Sequence, residues 1–275
     1  MHKGSVVLPF FLHCSKIPIE DFDMHNDWFK IGSLTIHGYG VMIAIGVLFG
    51  FYFAEKNARK HDLDYKNIDN LIFFVIIIGY IFAKVLYCIV EYKQFLKDPL
   101  SVLGGGGWVV YGGILGGIFA CWLYCRKHHY DFSKYFNTLI PSVAIAQAFG
   151  RIGCYFAGCC YGRATTAWYG VTFPTNSLCP VGTPVIPTQL ISSFGDLCIF
   201  LFLMYNLNKG KHPEDTFGWY LILYSLGRFT IEFFRGDPRG TVGLFTTSQF
   251  ISIFLFIGGA YLIYRRQKKA EITEI

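Results

Sequence analysis

Residues Leu71–Val90 read LIFFVIIIGYIFAKVLYCIV, a run of twenty residues in which Lys84 carries the single charge. An α-helix rises about 1.5 Å per residue, so roughly 20 mostly apolar residues are needed to cross about 30 Å of hydrocarbon. This run has that length and that composition. We therefore predict that it is a transmembrane helix.

Other apolar runs of similar length, with charges mainly at their ends, follow the same pattern. They are approximately Ile36–Ala54, Trp108–Cys125, Leu139–Ala157, Gln189–Leu207, Phe217–Phe234 and Phe250–Tyr264. Together the runs predict an all-α fold, a polytopic membrane helix bundle of about seven transmembrane helices. We expect a single integral membrane domain over residues 1–275. Small outer segments are expected at about 1–35, 91–107 and 161–187.

The composition supports a bilayer as the solvent. Only 15% of the residues are charged, whereas about a quarter of the residues are charged in an average soluble domain. A lipid-exposed surface excludes charge because hydrocarbon cannot solvate it. The net charge of +6 forms no basic stripe on a soluble fold, so no nucleic-acid partner is expected.

The distribution of lysine and arginine predicts the orientation of the chain. Thirteen of them lie after the first, third, fifth and seventh predicted helices, and seven lie on the opposite side. Cytoplasmic loops carry the excess of Lys and Arg in membrane proteins. We therefore predict that the N-terminus is outside and the C-terminus is in the cytoplasm.

Four basic residues lie inside predicted helices or at their edges: Lys84, Arg151, Arg228 and Arg235. A basic residue at mid-membrane costs about 2.5–3.5 kcal/mol on insertion scales, so such residues need an anion or a water-filled cavity. Near a helix end the side chain can instead extend to the headgroups, and this alternative is open above all for Arg235.

The strongest local motif is Gly150-Arg151-Ile152-Gly153-Cys154, near the end of the fourth predicted helix. Glycines allow a headgroup or a neighbouring backbone to approach the Arg151 guanidinium closely. Arginine holds a phosphate through two parallel hydrogen bonds, so an anionic lipid headgroup is a natural partner. The alternative is an ion pair between Arg151 and an acidic residue of another helix, such as Glu232.

A second motif contains Arg228, Glu232 and Arg235, which recur at i, i+4 and i+7. On one continuous helix these side chains would share a face, and that face would point into the bundle. We expect Glu232 to orient both arginines while leaving donors available for a ligand.

Two tyrosines are weaker candidates. Tyr111 lies in a glycine-rich run, residues 104–117, whose glycines are explained mainly by close helix packing. Tyr39 opens the first helix, where it is either an interfacial anchor or a headgroup contact.

Cysteines cluster beside the Arg151 motif, at Cys154, Cys159 and Cys160, and Cys179 follows in the outer loop. They are interpreted as packing residues, as a disulfide on the outer face or as a metal site. Adjacent cysteines do not match ordinary zinc spacing, so no metal site is expected, and no cofactor is implied.

Taken in order, these motifs resemble the prolipoprotein diacylglyceryl transferase family over about residues 31–265. The matching segments are Tyr39-Gly40, Ala83-Lys84, Gly112 to Gly116, Gly150 to Gly153, Pro187 to Leu190 and Arg228 to Arg235.

The resemblance implies an enzyme of the bacterial cytoplasmic (plasma) membrane. It would transfer the diacylglyceryl group of phosphatidylglycerol to the lipobox cysteine thiol of prolipoproteins, forming a thioether and releasing glycerol phosphate. Its implied catalytic residues are Arg151, Arg228 and Tyr111. Its implied substrate-binding residues are Arg151, Arg228, Tyr39, Lys84, Glu232 and Arg235.

The chain also departs from the family pattern. Tyr111 stands where the family usually has a histidine that is a candidate base, and an unperturbed tyrosine with a pKa near 10 is a poor base. Cys154, Ala157 and Cys159 replace the usual asparagines and glutamate, Ile186 replaces a histidine and Lys84 replaces an arginine. These departures leave open a divergent paralogue that uses another acceptor or its own cysteines, or a non-enzymatic lipid-binding protein.

Overall fold

The computed structural model describes residues 27–31, 34–173, 179, 182–210, 212–237 and 240–273. Within these ranges the chain is mainly helical. The helices are α1 (Gly38–Lys60), α2 (Ile68–Val90), α3 (Tyr92–Lys97), α4 (Pro99–Gly104), α5 (Val110–Lys127), α6 (Phe132–Phe156), α7 (Thr188–Lys209), α8 (Thr216–Glu232) and α9 (Thr247–Thr273). Most of the predicted outer segment 1–35 lies outside the described residues.

The long helices match the apolar runs closely, which confirms the predicted all-α membrane architecture. Five segments are long and apolar enough to span a bilayer: Gly38–Lys60, Tyr65–Val90, Phe132–Phe156, Thr188–Lys209 and Thr247–Lys269. Helices α5 and α8 have only 18 and 17 residues. They correspond to two further predicted spans, so the count of seven stays a prediction.

Short strands and helices occupy the connections between the long helices. Strands β1 (Asp27–Ile31) and β2 (Leu34–His37) pair antiparallel, and β3 (Thr241–Val242) pairs with β4 (Phe245–Thr246). The segment predicted outside the membrane at about 91–107 contains α3 and α4. The Asp98 side chain caps α4 by accepting a hydrogen bond from the Ser101 N–H.

Burial is inverted relative to a soluble protein. Large apolar side chains such as Ile77 and Phe254 are exposed, while Gln189, Asp196 and Glu232 are buried. This arrangement is stable when hydrocarbon surrounds the protein, since lipid solvates the apolar exterior and polar groups gather inside. The main helix contacts are α1 with α6, α2 with α5, α6 with α7, and α8 with α9.

Helices α2 and α5 pack through glycine. A Cβ atom added to Gly112 would lie 2.5 Å from the Phe82 carbonyl oxygen and 2.9 Å from the Leu86 Cβ. The next residue, Gly113, is less crowded, because its added Cβ would meet the Gly79 carbonyl oxygen at 3.5 Å. The glycine run therefore serves helix packing at Gly112, as the sequence indicates.

We predict that Gly112→Ala lowers the free energy of unfolding by about 1–3 kcal/mol, because backbone on α2 must move to admit the methyl group. Gly113→Ala is the matched control. It should be neutral or stabilise the protein by up to about 1 kcal/mol, the intrinsic helix preference for alanine. Thermal unfolding in detergent measures both variants. Equal losses of stability would contradict the packing argument.

Candidate functional site

Arg151 lies on the last two turns of α6 and lines a cavity of about 540 Å³. Asp196 of α7 and Arg228 of α8 line the same cavity. No hydrogen bond or ion pair joins the Arg151 guanidinium to any other residue that the structure describes. A half-buried guanidinium with unused donors at a cavity wall can bind an anion.

The remaining walls of the cavity are mostly apolar. They include side chains of α7, of α8 and of the residues just after α8, namely Ile191, Ile199, Leu223, Ile231 and Phe234. Gly195 and Gly227 also line the cavity, and a Cβ added to either would meet nothing within 4 Å. A cavity with mostly apolar walls and with Arg151 and Arg228 in its lining suits an amphiphile that has an anionic headgroup.

Arg228 is held by two neighbours. Its Nη1 lies 2.9 Å from Glu232 Oε2, one helical turn later, and its Nη2 donates to Ser248 Oγ at 2.7 Å. The Glu232 side chain is only 1% exposed. Glu232 therefore pairs with Arg228, and the alternative of an ion pair between Arg151 and Glu232 is wrong for this structure.

Arg235 does not continue the helical face of Arg228 and Glu232, because α8 ends at Glu232. The sequence-based expectation of three side chains on one helix was wrong at this position. Arg235 instead forms two hydrogen bonds with Asp237, Nε to Oδ1 at 2.7 Å and Nη2 to Oδ2 at 2.7 Å. Its side chain is 3% exposed, so it does not extend to the headgroups.

The two candidate tyrosines lie at the starts of helices. Tyr111 is in the first turn of α5, within electrostatic range of Arg228 and Glu232. Tyr39 is in the first turn of α1 and packs against α6, where a Cβ added to Gly153 would lie 3.1 Å from its ring. The second glycine of the Arg151 motif therefore makes room for Tyr39.

Lys84 has a local role in the structure. Its Nζ donates to the carbonyl oxygens of Gly105 and Gly107, at 2.6 Å and 3.3 Å, and so holds the chain that leads into α5. Lys84 is not among the residues that line the cavity beside Arg151. The backbone carbonyls supply the partners that a lysine inside an apolar run requires.

Asp196 is the cavity residue that the sequence interpretation missed. Its side chain is buried, and its charge acts on both Arg151 and Arg228. A signal was available, because Asp196 is an acidic residue in the middle of the predicted span Gln189–Leu207. A carboxylate at mid-membrane is costly for the same reason as a basic residue, and it too needs a partner or a cavity.

Three cysteines converge beside Arg151. The ligand atoms of Cys154, Cys159 and Cys160 all lie within 4.8 Å of one another. No disulfide joins any two of the cysteines in the described parts of the chain, so of the three interpretations the outer-face disulfide is not formed there. These thiols are the residues of the site that could hold a metal ion.

Comparisons with known proteins agree with the sequence motifs. A family described as "Prolipoprotein diacylglyceryl transferase" matches residues 26–265. The chain is 42% identical over 235 residues to phosphatidylglycerol–prolipoprotein diacylglyceryl transferase 2 of Clostridium perfringens, covering 85% of this chain and 92% of that protein. It is 40% identical to the Clostridium tetani phosphatidylglycerol–prolipoprotein diacylglyceryl transferase, covering 85% and 94%.

Proposed function

The chain belongs to the prolipoprotein diacylglyceryl transferase family, and we propose that the cavity beside Arg151 is where its reaction takes place. The protein is a transferase of the bacterial cytoplasmic membrane. It transfers the diacylglyceryl group of phosphatidylglycerol to the cysteine thiol of a prolipoprotein. A thioether forms, and glycerol phosphate is released.

Arg151 binds the phosphate of the lipid donor in this proposal. The supporting observation is that its guanidinium has no ion-pair or hydrogen-bond partner among the described residues while it faces a largely apolar cavity. The apolar walls accept the acyl chains. Arg228 adds a second positive charge, which Glu232 and Ser248 hold in position.

The chemical step displaces the phosphate from the glyceryl carbon. The acceptor thiolate attacks that carbon, the new carbon–sulfur bond forms, and the carbon–oxygen bond breaks with its electron pair going to the phosphate oxygen. Negative charge therefore grows on the leaving phosphate. Arg151 and Arg228 stabilise this charge in a site with little water, where such interactions are strong.

The other predicted residues support this step. Tyr111, within range of Arg228, donates a hydrogen bond to the phosphate and does not act as the base. Tyr39 contacts the headgroup from α1, and Arg235 contributes positive potential from its pair with Asp237. Lys84 maintains the loop that precedes α5 and so the position of Tyr111. Asp196 accepts hydrogen bonds from the glycerol hydroxyls.

Reconstitution with a doubly labelled donor tests the proposed function. Phosphatidylglycerol labelled in its acyl chains and in its headgroup is incubated with the full chain and a lipobox peptide. We expect one labelled peptide for each glycerol phosphate released, and no transfer to a peptide whose cysteine is serine. Lipid binding without release would support a non-enzymatic lipid-binding protein. Label on the protein itself would support the paralogue that uses its own cysteines.

A further inference from the structure

We propose that Cys154, Cys159 and Cys160 bind a thiophilic divalent cation such as Zn²⁺ as three thiolates, and that the acceptor cysteine of the substrate occupies the fourth coordination position. The proposal rests on the proposed function, because the acceptor thiol is the second substrate of that reaction. It departs from the sequence-based expectation that no metal site is present.

The three sulfur atoms are close enough for a shared metal ion. Their ligand atoms lie within 4.8 Å of one another. Zinc–sulfur bonds are about 2.3 Å long in tetrahedral sites, which sets neighbouring sulfur atoms about 3.8 Å apart. The difference is about 1 Å at most, which is within the reach of side-chain rotation.

The backbone explains how adjacent cysteines can share one site. In an extended chain successive side chains point to opposite sides, which is why adjacent cysteines argue against a metal site. Here Gly158 and Cys160 both have positive φ, +66° and +65°. The chain folds back after α6, and the Cys159 N–H donates to the Cys154 carbonyl oxygen at 3.2 Å.

Helix α7 holds this loop in place. Buried Gln189 donates from Nε2 to the Cys159 carbonyl oxygen at 2.7 Å, and buried Thr188 donates from Oγ1 to the Cys160 carbonyl oxygen at 2.8 Å. A positive φ at a non-glycine residue costs roughly 1–2 kcal/mol, and such strain is concentrated at functional sites. Two buried side chains therefore maintain the strained conformation that brings the thiols together.

Two arginines lie within electrostatic range of the cysteine cluster. The charges of Arg151 and Arg235 both act on Cys160, and that of Arg151 also acts on Cys154. Three thiolates and one divalent cation leave a net charge of −1 on the site. The neighbouring guanidinium groups compensate this charge, which lowers the cost of holding it away from water.

The site provides three ligands and leaves one position open. Among the described residues, no further His, Cys, Asp or Glu joins the three cysteines. All three cysteines are half-buried, so a ligand can approach. Structural zinc sites have four protein ligands, whereas catalytic sites have three and keep the fourth position for water or substrate.

The metal supplies the thiolate that the reaction requires. A thiol that coordinates a divalent metal loses its proton, which here passes to water. The bound thiolate attacks the glyceryl carbon, and the electron pair of the broken carbon–oxygen bond leaves with glycerol phosphate. Arg151 lies next to both the lipid cavity and the cysteine cluster, because it lines the cavity and its charge acts on Cys154 and Cys160. With the metal bound, no side chain has to act as the general base that deprotonates the acceptor thiol, a task for which Tyr111 is unsuited.

A Co²⁺ titration of the full chain, purified in detergent under reducing conditions without a histidine tag, tests the metal site. We expect one Co²⁺ per chain with thiolate-to-cobalt charge-transfer absorption. Cys154→Ser and Cys160→Ser should each weaken binding by at least about tenfold, because loss of even an outer-shell partner of a metal ligand costs that much. Cys198→Ser, at an exposed position on α7, is the matched control and should bind like the wild type.

A second measurement tests the open position. Adding a lipobox peptide should shift the visible cobalt bands, and the same peptide with serine in place of cysteine should not. Wild-type protein that binds no stoichiometric Co²⁺ would overturn the metal site. If Co²⁺ binds but its spectrum does not change when the cysteine-containing peptide is added, the peptide thiol does not occupy the fourth coordination position, and that part of the proposal is wrong. These readouts need no lipid donor, so they remain separate from the labelled-donor assay of the proposed function.

Discussion

Arg151→Ala is expected to abolish transfer of labelled diacylglycerol to a lipobox peptide, with a loss of at least roughly 10²–10³-fold. The guanidinium faces the cavity with no ion-pair or hydrogen-bond partner among the described residues, so its removal would take away the main contact that we propose for the donor phosphate. No carboxylate depends on Arg151 for a direct ion pair, and the variant should fold. Membranes containing the variant and labelled phosphatidylglycerol provide the assay.

Two further variants sharpen this test. Arg151→Lys should also be impaired, because an ammonium group cannot reproduce the two parallel hydrogen bonds of a planar guanidinium. Arg265→Ala is the matched control, since Arg265 is an exposed residue of α9 far along the chain from the cavity residues. It should transfer diacylglycerol at the wild-type rate. Full activity of Arg151→Ala would exclude Arg151 as the phosphate ligand.

Glu232→Ala is expected to lower the free energy of unfolding by about 3–5 kcal/mol, because it leaves the buried charge of Arg228 without its ion-pair partner. The two side chains are 14% and 1% exposed and lie 2.9 Å apart. Removing one partner of a buried ion pair destabilises a protein more than replacing both partners with apolar residues. The single removal leaves the other charge desolvated and unpaired. Thermal unfolding in detergent measures the loss.

The double variant Arg228→Met with Glu232→Leu separates stability from catalysis. Apolar side chains of similar volume remove both charges, so most of the stability lost in Glu232→Ala should return. Transfer activity should not return, because the variant lacks one of the two arginines that we propose stabilise the leaving phosphate. Recovery of activity together with stability would show that Arg228 serves only the packing of α8 and α9.

The helices could be predicted because the bilayer imposes a length and a composition on each segment. The run Leu71–Val90 ends at the same residue as α2, and the run Gln189–Leu207 lies within α7. Outside the membrane this constraint is absent. Short elements such as the β1–β2 hairpin and α3 were therefore not foreseen.

Two arginines of the candidate site could also be predicted from the sequence, because a charged side chain is costly in hydrocarbon. Arg151 and Arg228 were singled out because each lies inside an apolar run, and both line the cavity. Asp196 obeys the same rule and was overlooked in the sequence. Arg235 was assigned to the wrong face, since the point at which α8 ends depends on contacts with the loop after α6, such as the Gly162–Arg235 bridge.

The sequence by itself determined that the chain is a helical membrane protein whose interior contains basic residues, since both conclusions follow from the solvation of single residues and single helices. Only the tertiary structure decided the partners. Glu232 pairs with Arg228, Asp237 holds Arg235, and Arg151 is left to face the cavity. Ion pairing and thiol convergence depend on distances of a few ångströms between separate segments. Local sequence patterns do not encode these distances, and packing of α6, α7 and α8 sets them.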